Sequence, residues 1–362
     1  MSKFFNIVES IWDNLKAGQA KTRAHFAIGR DHIDNGDQLG PPFVAGQHYF
    51  QIIINEMFLA NQRQWFVSYD PMAFVASSYI YGKQLETLPL VVGPTMLNRF
   101  KQEVPLGMIF HNTPVSGLHP WQGGSLTVTM ILNRLQQQNN ADKLLGVVES
   151  ISGAVDPSNS FAVYLKLAKT VIDGVQTLLG LQQTVPVLGY HTTINTDVGQ
   201  ILEPTYYALV DAVVGVDADA GQIDPSKCWV RKERLYYTNE QGKTEPYRDH
   251  DFILFSIAQG DKRTDERTLP FYPRWETTRD LAAQPGTHFW DEAKAQFNTL
   301  KRDLLNSPDL TQLDSQRLRE QYLTILKQRH QETIEEGQLA PQRLSDSEAE
   351  LQQIANELDK LS

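Results

Sequence analysis

Residues 126–132 (LTVTMIL) carry the clearest secondary-structure signal in the chain. Apolar side chains at positions 126, 128, 130 and 132 alternate with Thr127, Thr129 and Ile131. Because successive side chains of a β-strand point to opposite faces, this period of two predicts a strand with one buried face and one wetter face.

Runs of β-branched and aromatic residues continue this pattern on both sides of residues 126–132. The other predicted strands lie within residues 49–58, 65–69, 74–81, 88–92, 185–190, 206–216, 229–237 and 252–257. The string NEQG at 239–242 predicts a hairpin connection. No helical pattern interrupts residues 43–135, as a parallel α/β sheet would require, so a sandwich or a barrel is favoured.

Apolar residues at helical spacing predict helices at residues 2–17, 141–151 and 160–182. The first is amphipathic and carries charges of both signs. It is interpreted as a helix that packs on the main domain, or alternatively as a detachable interfacial or partner-binding helix.

The composition changes after residues 285–286 (PG). Three apolar stripes, at 289–304, 318–326 and 351–361, predict three helices separated by prolines at 308 and 341. The second stripe contains Leu318, Tyr322 and Ile325. Three such stripes can hide their apolar faces only partly in a small module, so docking on the β-rich body or on another chain is expected.

Together these elements predict an α+β fold with a β-rich, sandwich- or barrel-like core, packed helices, an N-terminal amphipathic helix and a C-terminal helical module. The predicted segments are residues 1–38 (helix and linker), 39–284 (β-rich core) and 285–362 (helical module).

Charge and cysteine content narrow the class of protein. The 362 residues have a formal net charge of −10, which argues against nucleic-acid binding and against anionic membranes. A membrane span at 161–181 is not expected, because Lys166, Lys169 and Asp173 interrupt its apolar run. A single cysteine, Cys228, permits no internal disulfide, so a cytoplasmic location is expected.

Three sequence clusters are candidates for a functional site. Residues 110–126 contain His111, Asn112, His119 and Trp121, which form either a structured turn or a loop for a ligand or partner. Two histidines without a third adjacent ligand do not predict a metal site, and no cofactor is expected. Cys228 is interpreted as a small buried residue, with a nucleophile served by His191 or His250 as the alternative.

The third cluster, residues 247–275, places Arg263, Phe271 and Trp275 in a charged and proline-aromatic segment. It predicts a loop clamped by ion pairs, or a binding surface, since Arg and Trp are favoured at interface hot spots. The helical residues Leu318, Tyr322 and Ile325 complete the interaction candidates.

Function is predicted only by class. The sequence lacks the G-x-S-x-G, Walker, H-E-x-x-H and paired C-x-x-C motifs, and both of its ends are amphipathic. The favoured hypothesis is a non-enzymatic interaction or regulatory protein that binds a protein partner or a second copy. The alternatives are a hydrolase with a spatially assembled site near His111, His119 or Cys228, and a membrane-active effector that releases an amphipathic helix.

Overall fold

A computed structural model describes residues 6, 8–13, 24–60, 63–64, 67–93, 113–136, 143–148, 161–180, 184–215 and 221–359. The chain divides into two compact units, Met1–Asp265 and Glu266–Ser362. The fold is α+β, with sheets and packed helices in the first unit and a helical second unit.

The first of two large sheets in unit 1 consists of β1 (Ala24–Ala27), β2 (Tyr49–Phe58), β6 (Thr113–Pro114), β7 (His119–Pro120), β10 (Thr205–Val210) and β16 (Phe252–Gly260). It is antiparallel, with the strand order β1-β10-β16-β2 followed by β6 and β7 on the far side of β2. The register between β16 and β2 shifts between Leu254 and Phe255, so that Asn55 is an extra residue in β2.

The second large sheet consists of β3 (Arg63–Gln64), β4 (Val67–Tyr81), β5 (Gln84–Val92), β8 (Ser125–Gln136) and β9 (Thr184–Asn195). It is also antiparallel, and β4 and β8 form its centre. The strand predicted at 126–132 is therefore confirmed as part of β8.

The two large sheets pack face to face as a sandwich, because one face of each contributes to the same apolar cluster. Alternate residues of β2 and β16, such as Ile52 and Phe255, meet alternate residues of β8, such as Val128 and Met130.

Helices cover the outer face of the second sheet. They are α1 (residues 8–13), α2 (residues 143–148) and α3 (Phe161–Gly180). Phe74 and Ile131 on that face share a cluster with Trp12 and Val175. Trp12 lies so close to Gly189 of β9 that a Cβ there would come within 2.6 Å of its ring. The predicted helices are confirmed over these described residues, and the N-terminal one packs on the sheet.

The prediction that one face of the strand at residues 126–132 would be in contact with water was wrong. Thr127, Thr129 and Ile131 are all buried. Thr127 bonds the hydroxyl of Thr193 at 2.8 Å, and Thr129 bonds His191 Nδ1 at 2.9 Å. Strand β8 lies between β4 and β9 and under helices, so both of its faces lose contact with water.

A small antiparallel sheet packs on the outer face of the first large sheet. It consists of β13 (Cys228–Arg231), β14 (Arg234–Thr238) and β15 (Thr244–Pro246), with the predicted turn at 239–242 between the last two. Its inward residues Cys228, Val230 and Leu235 join the cluster of Phe252 and Leu254. A short parallel pair, β11 (Val213–Val214) and β12 (Gln222–Ile223), lies beside it in sequence.

The second unit contains α4 (Tyr272–Ala282), α5 (Thr287–Asn306) and α6 (Gln312–Asp359). Trp275 of α4 stacks on Tyr322 of α6 with ring centroids 4.0 Å apart. The unit thus has its own core, and α4 contributes to it. The sequence-based prediction had instead placed residues 272–282 in the β-rich core domain. Helix α6 continues through Pro341, where a break was expected.

Among the described residues, no helix is long and apolar enough to cross a membrane.

Candidate interaction site at one end of the sandwich

Three loops meet where β2, β8 and β10 begin: residues 41–48, 121–124 and 196–204. The backbone N–H of Phe43 donates to the carbonyl of Leu202 at 2.9 Å, and that of Gly46 donates to the carbonyl of Trp121 at 2.7 Å. These two bonds join the first loop to each of the others.

The second and third loops are also bonded to each other. Thr196 donates both its backbone N–H and its hydroxyl to the carbonyl of Gly124, each at 2.9 Å. Gly124 has φ +80°, a left-handed backbone conformation that favours glycine. The loops therefore form one bonded cluster rather than three independent segments.

Two of the residues predicted from the sequence support this cluster from inside. Trp121 is buried, and its indole meets the ring of Phe50 edge to face, with centroids 6.0 Å apart. His119 of β7 is buried beside Tyr79, with ring centroids 4.8 Å apart. Burial, with the nearby positive charge of Arg263, lowers the pKa of His119 to about 3.

The buried His119 is expected to make stability depend on pH. A histidine that stays neutral when folded, but gains a proton below about pH 6.5 when unfolded, destabilises the fold as the pH falls from about 6.5 towards 3. His119→Phe should therefore show a smaller loss of unfolding free energy than the wild type over this window, as measured by urea denaturation at several pH values. Parallel pH curves for the two proteins would contradict this.

Arg263 supports the same end of the sandwich from the segment after β16. Its guanidinium donates to the carbonyl of Leu118 at 3.0 Å and to Asp265 Oδ1 at 2.8 Å. Arg263 itself is buried. Arg263 thus holds the chain just before β7 through a hydrogen bond to a carbonyl, while its ion pair with Asp265 lies within its own segment.

The surface of the loop cluster exposes apolar side chains. Val198 is 73% exposed, Ile201 67% and Val44 44%. We call these three residues the apolar tip. Val44 of the first loop follows Phe43, and Ile201 of the third loop precedes Leu202, so both adjoin the residues whose backbone hydrogen bond joins the two loops. Other exposed residues of the same three loops are Pro41, Pro42, Ala45, Gln47, Gln122, Asp197, Gln200 and Glu203.

The other predicted site residues lie elsewhere. His111 and Asn112 fall outside the described residues. Phe271, Trp275, Leu318 and Tyr322 are buried in the core of the second unit, where Ile325 is half-buried. The structure therefore brings together His119, Trp121 and Arg263 in one place and a second group within the helical unit.

Sequence reasoning missed the apolar tip. The only signal was that Val198 and Ile201 stand in a turn-rich string, TDVGQILEP at 196–204. Apolar residues in such a string can either turn inward, as Leu202 does, or stay exposed. Sequence spacing does not distinguish these outcomes, because loops have no fixed side-chain period.

Cys228 is buried in the cluster between the small sheet and the first large sheet. Burial, with the charge of Asp224 nearby, raises the pKa of its thiol to about 12. The nucleophile is the thiolate, so this environment disfavours nucleophilic chemistry at Cys228. Within the described ranges, no group of three or more His, Cys, Asp or Glu side chains could hold a metal ion.

In comparisons with known proteins, the chain matched no protein-family model, no curated protein and no solved structure.

Proposed function

We propose that this chain functions by binding a partner protein through the apolar tip. The observation that supports the proposal is the exposure of Val44, Val198 and Ile201 on loops joined by backbone hydrogen bonds. Scattered exposed apolar residues are common on protein surfaces, whereas a group rimmed by polar residues is typical of an interaction site.

The composition of the tip and its surroundings supports a protein partner. The centre is aliphatic, and the exposed polar residues of the same loops, which we infer to be its rim, carry the amides of Gln47, Gln122 and Gln200 and the carboxylates of Asp197 and Glu203. Protein interfaces have the same arrangement of an apolar centre inside a polar rim. The rim is not cationic, so it offers nothing that would attract an anionic membrane.

Order in the loops adds a second argument. An interface side chain that is already held in place loses less conformational entropy on binding. Here the loop backbones bond to one another, and buried Trp121 and Arg263 hold two of the connecting segments. The tip is therefore organised before a partner arrives.

The double variant Val198→Asp/Ile201→Asp tests this proposal. Because both side chains are exposed, the variant should fold as the wild type does, with an unchanged melting temperature. Two charges in an apolar contact should weaken partner binding by about 30-fold, the loss that corresponds to a hot spot. Binding is measured by immobilising the full chain, identifying captured proteins by mass spectrometry and determining the Kd of each purified candidate.

Val213→Asp is the matched control. Val213 is 61% exposed and follows the other end of β10, away from the loop cluster. A partner that binds the apolar tip should have the same Kd for Val213→Asp as for the wild type. Equal binding by the double variant and the wild type would reject the proposal.

A further inference from the structure

The outward face of the small sheet carries four large side chains on two adjacent strands: Trp229, Arg231, Arg234 and Tyr236. We call it the arginine–tryptophan face. In the register of β13 and β14, Trp229 pairs with Tyr236 and Arg231 pairs with Arg234. The intervening pair, Val230 and Leu235, is buried, so these four side chains lie on the side away from the core, where they are partly exposed.

Two arginines directly opposite each other are the unusual feature of this face. Cross-strand partners have Cβ atoms about 5 Å apart, and like charges in that position destabilise a sheet. Within the described ranges, neither guanidinium forms an ion pair with a carboxylate, while Arg231 lies over the ring of Trp229 at 5.5 Å. Arg234 also favours the charged form of the buried Glu56 electrostatically, so the positive charge of the face is compensated only in part.

Nearby carboxylates are already in contact with other groups. Asp34 accepts the backbone N–H of Lys232 at 3.2 Å, and Glu245 pairs with Lys243 at 2.8 Å. The Oδ2 atom of Asp31 lies 3.7 Å from Nε2 of His32. None of these three carboxylates forms an ion pair with Arg231 or Arg234.

The face is ordered by its neighbours. The imidazole of His32 stacks on Trp229 with centroids 4.0 Å apart and planes 5° from parallel, and its Nδ1 lies 3.0 Å from the carbonyl oxygen of Cys228. A two-residue turn, Lys232 and Glu233, connects β13 to β14, and both residues have positive φ, 48° and 62°. This turn geometry fixes the hairpin register and so keeps Arg231 opposite Arg234.

We propose that the arginine–tryptophan face binds an acidic peptide segment of a partner protein, with a carboxylate held between Arg231 and Arg234 and neighbouring side chains packed on Trp229 and Tyr236. A guanidinium fork matches a carboxylate, and Trp, Tyr and Arg are the residues enriched in binding hot spots. This surface is separate in chemistry from the apolar tip, so the proposal stands independently of the proposed function.

A short acidic peptide fits a face with two arginines better than a nucleic acid does. A polyphosphate backbone is bound through many cationic contacts, whereas this face offers two. Two arginines beside two aromatic rings suit one or two carboxylates.

Fluorescence anisotropy with the full-length chain tests the proposal. The probe is a fluorescein-labelled octapeptide of alternating glutamate and alanine, and the comparison probes are the lysine–alanine octapeptide, the phosphoserine–alanine octapeptide and a single-stranded oligonucleotide. The glutamate peptide should bind, and its affinity should fall as salt is added. Arg234→Gln and Arg231→Gln should each weaken it by about tenfold.

A matched control and a stability measurement distinguish binding from folding. Arg302→Gln removes an exposed arginine of α5 and should bind the probe as the wild type does. Since Arg231→Gln removes one of two opposed charges, its melting temperature should equal or exceed that of the wild type, whereas Arg234→Gln also removes a favourable charge near the buried Glu56. The proposal is overturned if the glutamate peptide does not bind, if Arg302→Gln weakens it equally, if Arg231→Gln loses both binding and stability, or if the phosphoserine peptide or the oligonucleotide binds more tightly.

Discussion

Asp251→Ala is expected to lower the free energy of unfolding by about 3–5 kcal/mol, the cost of removing one partner of a buried ion pair. Asp251 is 2% exposed, and its Oδ2 accepts a hydrogen bond from Arg134 at 2.5 Å. Its Oδ1 accepts the backbone N–H of Ala60 at 2.7 Å. The substitution leaves a largely buried guanidinium and a backbone donor without this acceptor.

The position of Asp251 explains why the effect should be large. It stands just before β16 and bonds Ala60 just after β2, both in the first large sheet, while Arg134 belongs to β8 of the second sheet. One carboxylate therefore links two strands of one sheet to the other sheet. Urea denaturation followed by tryptophan fluorescence measures the loss.

Asp249→Ala is the control for this experiment, since Asp249 is exposed two residues earlier in the same segment. Its effect should stay within about 0.5 kcal/mol. If Asp251→Ala cost no more than Asp249→Ala, the carboxylate would not be the link between the sheets that the geometry describes.

Leu318→Ala is expected to destabilise the helical unit by about 2–5 kcal/mol, the range for deleting a fully buried leucine side chain. Leu318 is fully buried in the cluster that contains Trp275 and Tyr322. The cost combines lost apolar burial with the cavity left behind. Thermal and urea denaturation, followed by near-UV circular dichroism of the stacked Trp275 and Tyr322, report on this core.

Leu323→Ala provides the same chemical change on the same helix at a site that is 37% exposed. It should cost well under half as much, because less apolar surface returns to water and no closed cavity forms. The pair also tests the sequence-based hypothesis that Leu318 contacts a partner. In that case Leu318→Ala would weaken partner binding and leave stability nearly unchanged, the opposite of the result expected from its burial.

Much of the fold could be predicted because its signals are local. Alternation at 126–132 marked β8, and the turn string at 239–242 marked the connection from β14 to β15. Helical spacing predicted α3, in which Ile172 and Val175 are buried. These patterns depend on side-chain periods of 2 and 3.6 residues, which are properties of the backbone itself.

The candidate sites could be predicted only in part. The sequence drew attention to His119, Trp121 and Arg263 because of their residue types, and the structure places them beneath the loop cluster as buried supports. The exposed Val198 and Ile201 gave no comparable signal. The opposition of Arg231 and Arg234 depends on strand register, which two positive-φ residues at the turn set.

Residues 126–132 show both what the sequence determines by itself and what depends on the tertiary structure. Their alternation determined by itself that a strand forms, since local backbone geometry is sufficient for that. It did not determine that the threonine side would be buried. That outcome depended on Thr193, His191 and the helices that cover the sheet, all of which are distant in sequence. Burial is a property of what packs against a residue, and only the tertiary structure decides it.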